Sequence, residues 1–277
     1  MKVRRWNRVR LGVQAGAFGL LLLIPLLNVY AGTTLLQGWY QSLGIGDLWI
    51  VSPLEGLESL LVSRQPYGPL LVGLLPPVLL ALLLGRVFCG WICPIHFLSD
   101  LSDRLRALVR RGRPARDRWL LARQTLWGAL AAELALTLIL GAPLFVFLSP
   151  PGLVGRELML LVFFRTLAVE GLLILAVLAL NLVTRRFYCR YLCPLGGLLA
   201  LLGSRRRLQV RRNGNLCTAC GRCDRSCPLG LVPSRGEGQS VYCWNCGICI
   251  DNCHHDSLNF VWRPARRLDG TTTPSNS

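Results

Sequence analysis

The chain has 277 residues, 52% of them apolar, a mean hydropathy of +0.45 and a formal net charge of +17. That hydropathy excludes an ordinary water-soluble domain and makes a membrane protein the first class to test. The charge suggests nucleic acid only if it forms one recognition surface, and the arginines are instead sorted loop by loop, which argues against such a partner.

Lys2, Arg4, Arg5, Arg8 and Arg10 precede a first apolar run at about 11–31. A cleaved leader would need a small-residue site after the run, and NVYAGTT is a poor one, so the run is read as an uncleaved span. Further runs at about 67–88, 124–148 and 166–184 are each near the roughly 20 residues that cross the hydrocarbon core as helix. Nine arginines lie between Arg86 and Arg123 and eight between Arg185 and Arg212, while the other two loops hold only Arg64 in one and Arg156 and Arg165 in the other. By the positive-inside rule this predicts a multi-pass inner-membrane protein with both termini in the cytoplasm.

The spans belong to a repeat of about 100 residues. Each unit reads span, Ser-Pro loop, span, then Arg-x-x-Cys-x-x-x-Cys-Pro, with Ser52-Pro53 and Arg86, Cys89, Cys93, Pro94 in the first copy. Ser149-Pro150 and Arg186, Cys189, Cys193, Pro194 form the second. Two spans per unit give both copies one orientation, so both cysteine pairs reach the same membrane face. The segments after Ser-Pro read as short amphipathic turns at the outer interface, beside an aromatic belt of Trp39, Tyr40 and Trp49.

Cys-x3-Cys on a helix sets two sulfurs on one side, one turn apart. Cys89, Cys93, Cys189 and Cys193 therefore suit a further iron or redox site, packing thiols or a redox-active dithiol. Arg86 and Arg186 read either as charges offsetting thiolates or as snorkelling side chains. Glu133 and Glu170, within apolar runs, are proton-acceptor candidates or ordinary polar packing, and His96 is a candidate for a quinone or proton path.

The tail carries Cys217-x2-Cys220-x2-Cys223-x3-Cys227-Pro228 and then Cys243-x2-Cys246-x2-Cys249-x3-Cys253. This is the bacterial spacing for two [4Fe–4S] clusters, in which three close cysteines wrap one cube and the fourth reaches the other. One cluster takes Cys217, Cys220, Cys223 and Cys253; the second takes Cys243, Cys246, Cys249 and Cys227. A disulfide scaffold conflicts with a reducing compartment, and zinc has no use for the third interval. Gly221 and Gly247 fit either a close backbone approach or a simple turn. His254 stands where a proline often follows the last cysteine, and His254 and His255 read as solvated loop residues. The predicted organisation is a four-helix membrane domain over 1–203, all-α and built on a duplicated two-helix unit, then a small α+β 2[4Fe–4S] ferredoxin-like domain over 204–265, with 266–277 a disordered tail.

With its four apolar runs, FCGWICP and YCRYLCP, and paired ferredoxin motifs at the carboxyl end, the sequence resembles the NapH/MauN-type membrane polyferredoxins over most of its length. The resemblance implies the eight tail cysteines as cluster ligands and gives Cys89, Cys93, Cys189 and Cys193 importance without stating what they bind. It implies electrons taken from membrane quinol and passed, with a ferredoxin-like or cytochrome partner, to a redox enzyme such as a periplasmic nitrate reductase. MauN-type relatives imply the alternative of an accessory or maturation factor for a client dehydrogenase. The expected role is a quinol dehydrogenase component or electron carrier without turnover of its own.

Overall fold

The structure is a computed structural model that describes residues 5–30, 36–39, 41–109, 117 and 119–263. Lys2, Arg4, Tyr40 and the expected tail 266–277 lie outside them. The first unit opens with helix α1 (Arg5–Tyr30), followed by three short strands, β1 (Leu36–Gly38), β2 (Ser42–Ile45) and β3 (Leu48–Val51). It continues with α2 (Pro53–Ser63), α3 (Gly68–Leu84), α4 (Val87–Trp91) and α5 (Pro94–Val109). The second unit has α6 (Thr125–Leu140), α7 (Leu144–Leu148), α8 (Pro150–Phe164), α9 (Gly171–Val183), a single π turn at Tyr188–Leu192 and α10 (Pro194–Leu202).

The duplication is visible in the packing. α1 lies against α4, α5 and α8, while α6 lies against the π turn, α10 and α2. Each Ser-Pro helix crosses to the other unit's Cys-Pro helix: α2 packs on α10 and α8 on α5. Local chemistry starts these helices. Proline fits the first helical position, where its missing N–H is no loss, and Ser149 Oγ caps α8 by accepting from the Gly152 N–H at 3.2 Å. Cys193 takes the same position before Pro194, its Sγ accepting from the Gly196 N–H at 3.3 Å.

Three expectations change. The Ser-Pro segments are helices of 11 and 15 residues rather than short turns, with Pro53, Leu54, Gly56 and Glu58, and likewise Pro150, Pro151, Gly152, Leu153 and Val154, buried where they pack across to the other unit. The first 203 residues are not all-α, since β1, β2 and β3 form an antiparallel meander. Its tight turn, Ile45-Gly46-Asp47-Leu48 with Gly46 at φ +59°, was signalled by a Gly-Asp pair between apolar residues. Among the described residues only α1 is long and apolar enough to cross a membrane, over Arg5–Asn28. α3 has 17 residues, α6 has 16 and α9 has 13. Positive-φ glycines end two of them, Gly85 after α3 and Gly141 after α6, and Arg165 at φ +54° ends α8 ahead of α9. All four helices nevertheless expose large apolar side chains, among them Leu23, Leu75, Ile139 and Leu175, at 47%, 58%, 79% and 61%.

The remaining chain forms a small α+β layer. Strands β4 (Leu208–Arg212) and β5 (Leu258–Trp262) pair antiparallel, from Leu208↔Trp262 to Arg212↔Leu258. They bracket the eight tail cysteines and the short helices α11 (Arg222–Ser226) and α12 (Ile248–Asp251). This layer sits directly on the helices. Trp91 Nε1 donates to the Asn245 carbonyl at 3.1 Å, and Asn245 Nδ2 donates to the Leu84 and Leu208 carbonyls at 2.8 and 2.9 Å. The backbone N–H groups of Trp6 and Asn7 donate to the Asp251 carboxylate, and the Trp6 ring meets Phe260 edge-on at 5.0 Å.

Candidate iron–sulfur sites

The two Cys-x3-Cys pairs meet. Cys89, Cys93, Cys189 and Cys193 line one small cavity together with Arg86, Tyr188, Pro151 and Leu195. Cys89 is carried by α4 and Cys189 by the π turn, whereas Cys93 and Cys193 stand at the heads of α5 and α10. The four sulfurs therefore face a ring of positive groups. Arg86 bonds Cys89, and the starts of two helices point backbone N–H groups at Cys93 and Cys193. Arg186 adds a second guanidinium near Cys189. Burial, reinforced by the neighbouring thiols, pushes Cys93 far above an ordinary thiol and Cys193 up to about 11. As thiols these groups stay protonated, and a bound metal's charge is what ionises such a set.

A second cavity is lined by Cys227, Cys243, Cys246 and Cys249. That is the group expected from the spacing to hold one cluster. Burial, then the charge of Cys243, raises Cys227 to about 11 and Cys246 to about 12, and Arg206 and Arg86 act in the opposite sense on Cys243. The two cysteine cavities share one core: Cys93, Cys189, Cys227, Cys243, Trp244 and Cys246 belong to a single buried cluster. Gly90, inside the first Cys-x3-Cys, makes this contact possible. A Cβ there would stand 3.2 Å from Trp244 Cβ and 3.6 Å from Cys246 Cβ.

The third group is looser. Cys217 and Cys253 converge on the Ser257 hydroxyl, which lies 3.1 Å from Cys253 Sγ, and Cys223 packs with Cys253 and Cys249 in a satellite core. Cys220 is exposed. The Ala219 N–H, helped by Arg212 and Ser257, lowers Cys217, whereas burial beside Asp224 raises Cys223 to about 11. Both ferredoxin loops turn alike: Ala219 and Gly221 take φ +53° and +68°, Asn245 and Gly247 +52° and +74°. The left-handed turns aim successive N–H groups inward, the usual cradle for an anionic cluster. So the turn reading of these glycines holds, and the close approach at Gly247 is to Trp6 Cβ, 2.7 Å from where its own Cβ would lie.

Among the described residues no three His, Cys, Asp or Glu converge on a single ion. The repeat cysteines and the set of Cys227, Cys243, Cys246 and Cys249 line cavities instead, as suits a cube, whose ligands stand farther apart than those of one metal ion.

The family described as "4Fe-4S binding domain" matches residues 68–114 and 167–212, once over each Cys-x3-Cys unit. The methylamine utilization ferredoxin-type protein MauN of Methylorubrum extorquens is 35% identical over 87% of this chain and 82% of its own length. The chain belongs to the NapH/MauN ferredoxin-type family. The ferredoxin-type protein NapH of Escherichia coli is 29% identical over 94% of the chain and 90% of that protein. The putative electron transport protein YccM of the same organism is 28% identical over 79% of the chain, which spans 61% of YccM. No solved structure matches. Like its NapH and MauN relatives, the protein is a ferredoxin-type, iron–sulfur electron-transfer protein.

In this NapH/MauN chain the remaining predicted residues separate clearly. Arg86 and Arg186, at 1% and 2% exposure, do not snorkel. Arg86 reaches the Cys189 and Tyr242 carbonyls and lies 6.0 Å from the Trp244 ring, and Arg186 pairs with Asp100 and Asp103. His96 is buried, 2.6 Å from Gln14 Nε2 and edge-on to Trp244 at 4.7 Å. Burial holds it neutral, its pKa near 3. Glu170 forms a half-exposed pair with Arg156 at 2.5 Å, whereas Glu133 faces Glu58. His254 and His255 are exposed, and His254 touches Arg222. Sequence reasoning missed Trp244, Asp100 and Glu58. The four-residue step from His96 to Asp100 on one helix face was a usable signal for Asp100; nothing local marked the other two.

Proposed function

We propose that this chain oxidises membrane quinol at the inner membrane and relays electrons through its cysteine sites to a redox partner. The observation that carries this reading is the chain of three cysteine groups in contact: the repeat set, then Cys227, Cys243, Cys246 and Cys249, then Cys217, Cys220, Cys223 and Cys253. The eight tail cysteines hold two [4Fe–4S] clusters, and the four repeat cysteines hold a third iron site. When bound, these groups supply one-electron acceptance. The protein's residues supply the rest: Arg86, Arg186 and helix starts balance negative charge, Trp244 fills the space between the first two sites, and His96 stays neutral beside it.

A four-span topology, with the arginine-rich loops and both termini in the cytoplasm, is supported by the outward leucines of α1, α3, α6 and α9. A thin hydrocarbon region suits spans this short. The boundaries 1–203 and 204–265 then divide membrane part from relay. The partner is a ferredoxin-like or cytochrome subunit feeding a redox enzyme, a periplasmic nitrate reductase system by analogy with NapH. The 35% identity to a methylamine-utilization protein favours a second destination, a client dehydrogenase supplied with electrons during its maturation.

The test is spectroscopic. Purified protein in liposomes is mixed with a short-chain quinol, and iron–sulfur absorbance and electron paramagnetic resonance are followed. Reduction of the clusters is expected; clusters that dithionite reduces and quinol never does refute the quinol step. Iron near eight per chain corresponds to the tail alone, and an excess lost on replacing Cys89 and Cys189 identifies the third site.

A further inference from the structure

The duplication sets Arg86 and Arg186 in matching places, ahead of the first cysteine of each Cys-Pro motif, and both are buried. Their surroundings have diverged. Arg186 faces α5 and pairs there with the carboxylates of Asp100 and Asp103. In the second copy the places of Asp100 and Asp103 are taken by Ala200 and Gly203, so α10 offers Arg86 no carboxylate. The place of His96 is taken by Gly196, where a Cβ would stand 2.5 Å from Arg86 Nη2. The bare position 196 makes room for the guanidinium, and the missing aspartates leave its charge unanswered.

The bonds of Arg86 go to neutral groups. Nη2 donates to the Cys189 carbonyl at 3.4 Å and Nη1 to the Tyr242 carbonyl at 3.5 Å, while Nε is buried without a partner. Among the described residues no carboxylate stands within ion-pair distance of it. A buried guanidinium without a counter-charge is costly. Its two bonds point to what supplies one: Cys189 belongs to the four-cysteine cavity, which Arg86 also lines, and Tyr242 directly precedes Cys243 of the buried ferredoxin set. Burial raises the thiols of Cys89, Cys189, Cys193 and Cys243, and Arg86 is among the charges that oppose the rise at each. Arg206 also acts on Cys243, but it does not line the four-cysteine cavity.

We propose that Arg86 is the shared counter-ion of two iron–sulfur sites, one at the four repeat cysteines and one at Cys227, Cys243, Cys246 and Cys249, and that its charge raises the reduction potential of both. This role rests on the relay reading above, including its third iron site. A cluster held by thiolates is negatively charged and becomes more so when it accepts an electron, so a fixed cation beside it favours the reduced form. Arg186 has much less of this effect, because two carboxylates answer its charge. No bond of Arg86 reaches Cys217, Cys220, Cys223 or Cys253, whose cluster is the internal reference.

The test is a redox titration followed by electron paramagnetic resonance on the full chain with its iron loaded, in wild type, Arg86→Gln, Arg86→Lys and Arg186→Gln. Signals are assigned with Cys220→Ala, which lacks the outer irons, and with the Cys89→Ala, Cys189→Ala double variant, which lacks the repeat site. Arg86→Gln is expected to lower the inner and repeat sites together, each losing at least about tenfold in electron affinity relative to the outer cluster, about 59 mV for one electron. Arg86→Lys keeps the charge and loses the planar fork, and both sites are expected within about threefold of wild type. Arg186→Gln is expected to leave every potential within about threefold and to lower the melting point. If Arg86→Gln retains no iron, Arg86→Lys decides: full iron with wild-type potentials upholds the charge role, and loss of iron there too overturns it. Unchanged potentials in Arg86→Gln, a shift at one site alone, equal shifts in the Gln and Lys forms, or as large a shift in Arg186→Gln also overturn it. Wild type with only about eight irons removes the third site and the shared role with it. Wild type with the excess iron and an unshifted Arg86→Gln removes the counter-ion and leaves the relay standing.

Discussion

The two tail sets repeat one cysteine spacing in opposite surroundings. Cys227, Cys243, Cys246 and Cys249 are all buried, in a cavity walled by Leu229, Leu231 and Trp244, and they share a core with the repeat cysteines. Cys217, Cys220 and Cys253 reach the surface and lean on Ser257 and Arg212. Spacing thus fixes which cysteines gather, while tertiary burial sets their surroundings: the inner set packs against the repeat cysteines and the outer set meets the surface.

The comparison breaks hardest at single ligands. Cys243→Ala should remove about four irons and also weaken the whole helical assembly, since its side chain belongs to the main core, whereas Cys220→Ala should cost the outer irons alone. Iron analysis paired with thermal melting separates the two. Next comes the charge network beneath the inner side. Arg186→Ala leaves Asp100 to Arg10 and Asp103 without its Arg186 bond, and should destabilise by about 1–3 kcal/mol, read as a lowered melting point. If the burial contrast holds, a chelator with mild oxidant should strip iron in two phases, the outer set about tenfold faster, and Cys220→Ala should delete the fast phase. Equal rates would erase the distinction. The smallest effect belongs to the exposed Glu170–Arg156 pair, where Glu170→Gln should change stability by about 0.5 kcal/mol or less.

How much of this was legible depends on how local its cause is. Cluster spacing is set within a dozen residues, so the grouping of Cys227 with Cys243, Cys246 and Cys249 could be read directly. The duplication was equally plain, and with it the meeting of Cys89, Cys93, Cys189 and Cys193. Hydropathy marked the apolar runs but not their ends, because Gly85 and Gly141 break the backbone at little cost in hydropathy. An amphipathic Ser-Pro helix has the same pattern on a membrane surface as between two repeats, so its burial could not be foreseen. Glu58 meets Glu133, and Trp244 meets His96, across large sequence separations that no periodicity records.

Trp6 and Asn7 reach across 245 and 244 positions of sequence to Asp251, and the Trp6 ring also meets Phe260. Gly247, inside the second ferredoxin loop, presses on the same tryptophan. The start of α1 and the segment from α12 to β5 thus close one clasp beside the second ferredoxin loop. Holding the inorganic cargo then depends on a residue remote in sequence from every cysteine, and Trp6→Ala should lose iron faster than wild type.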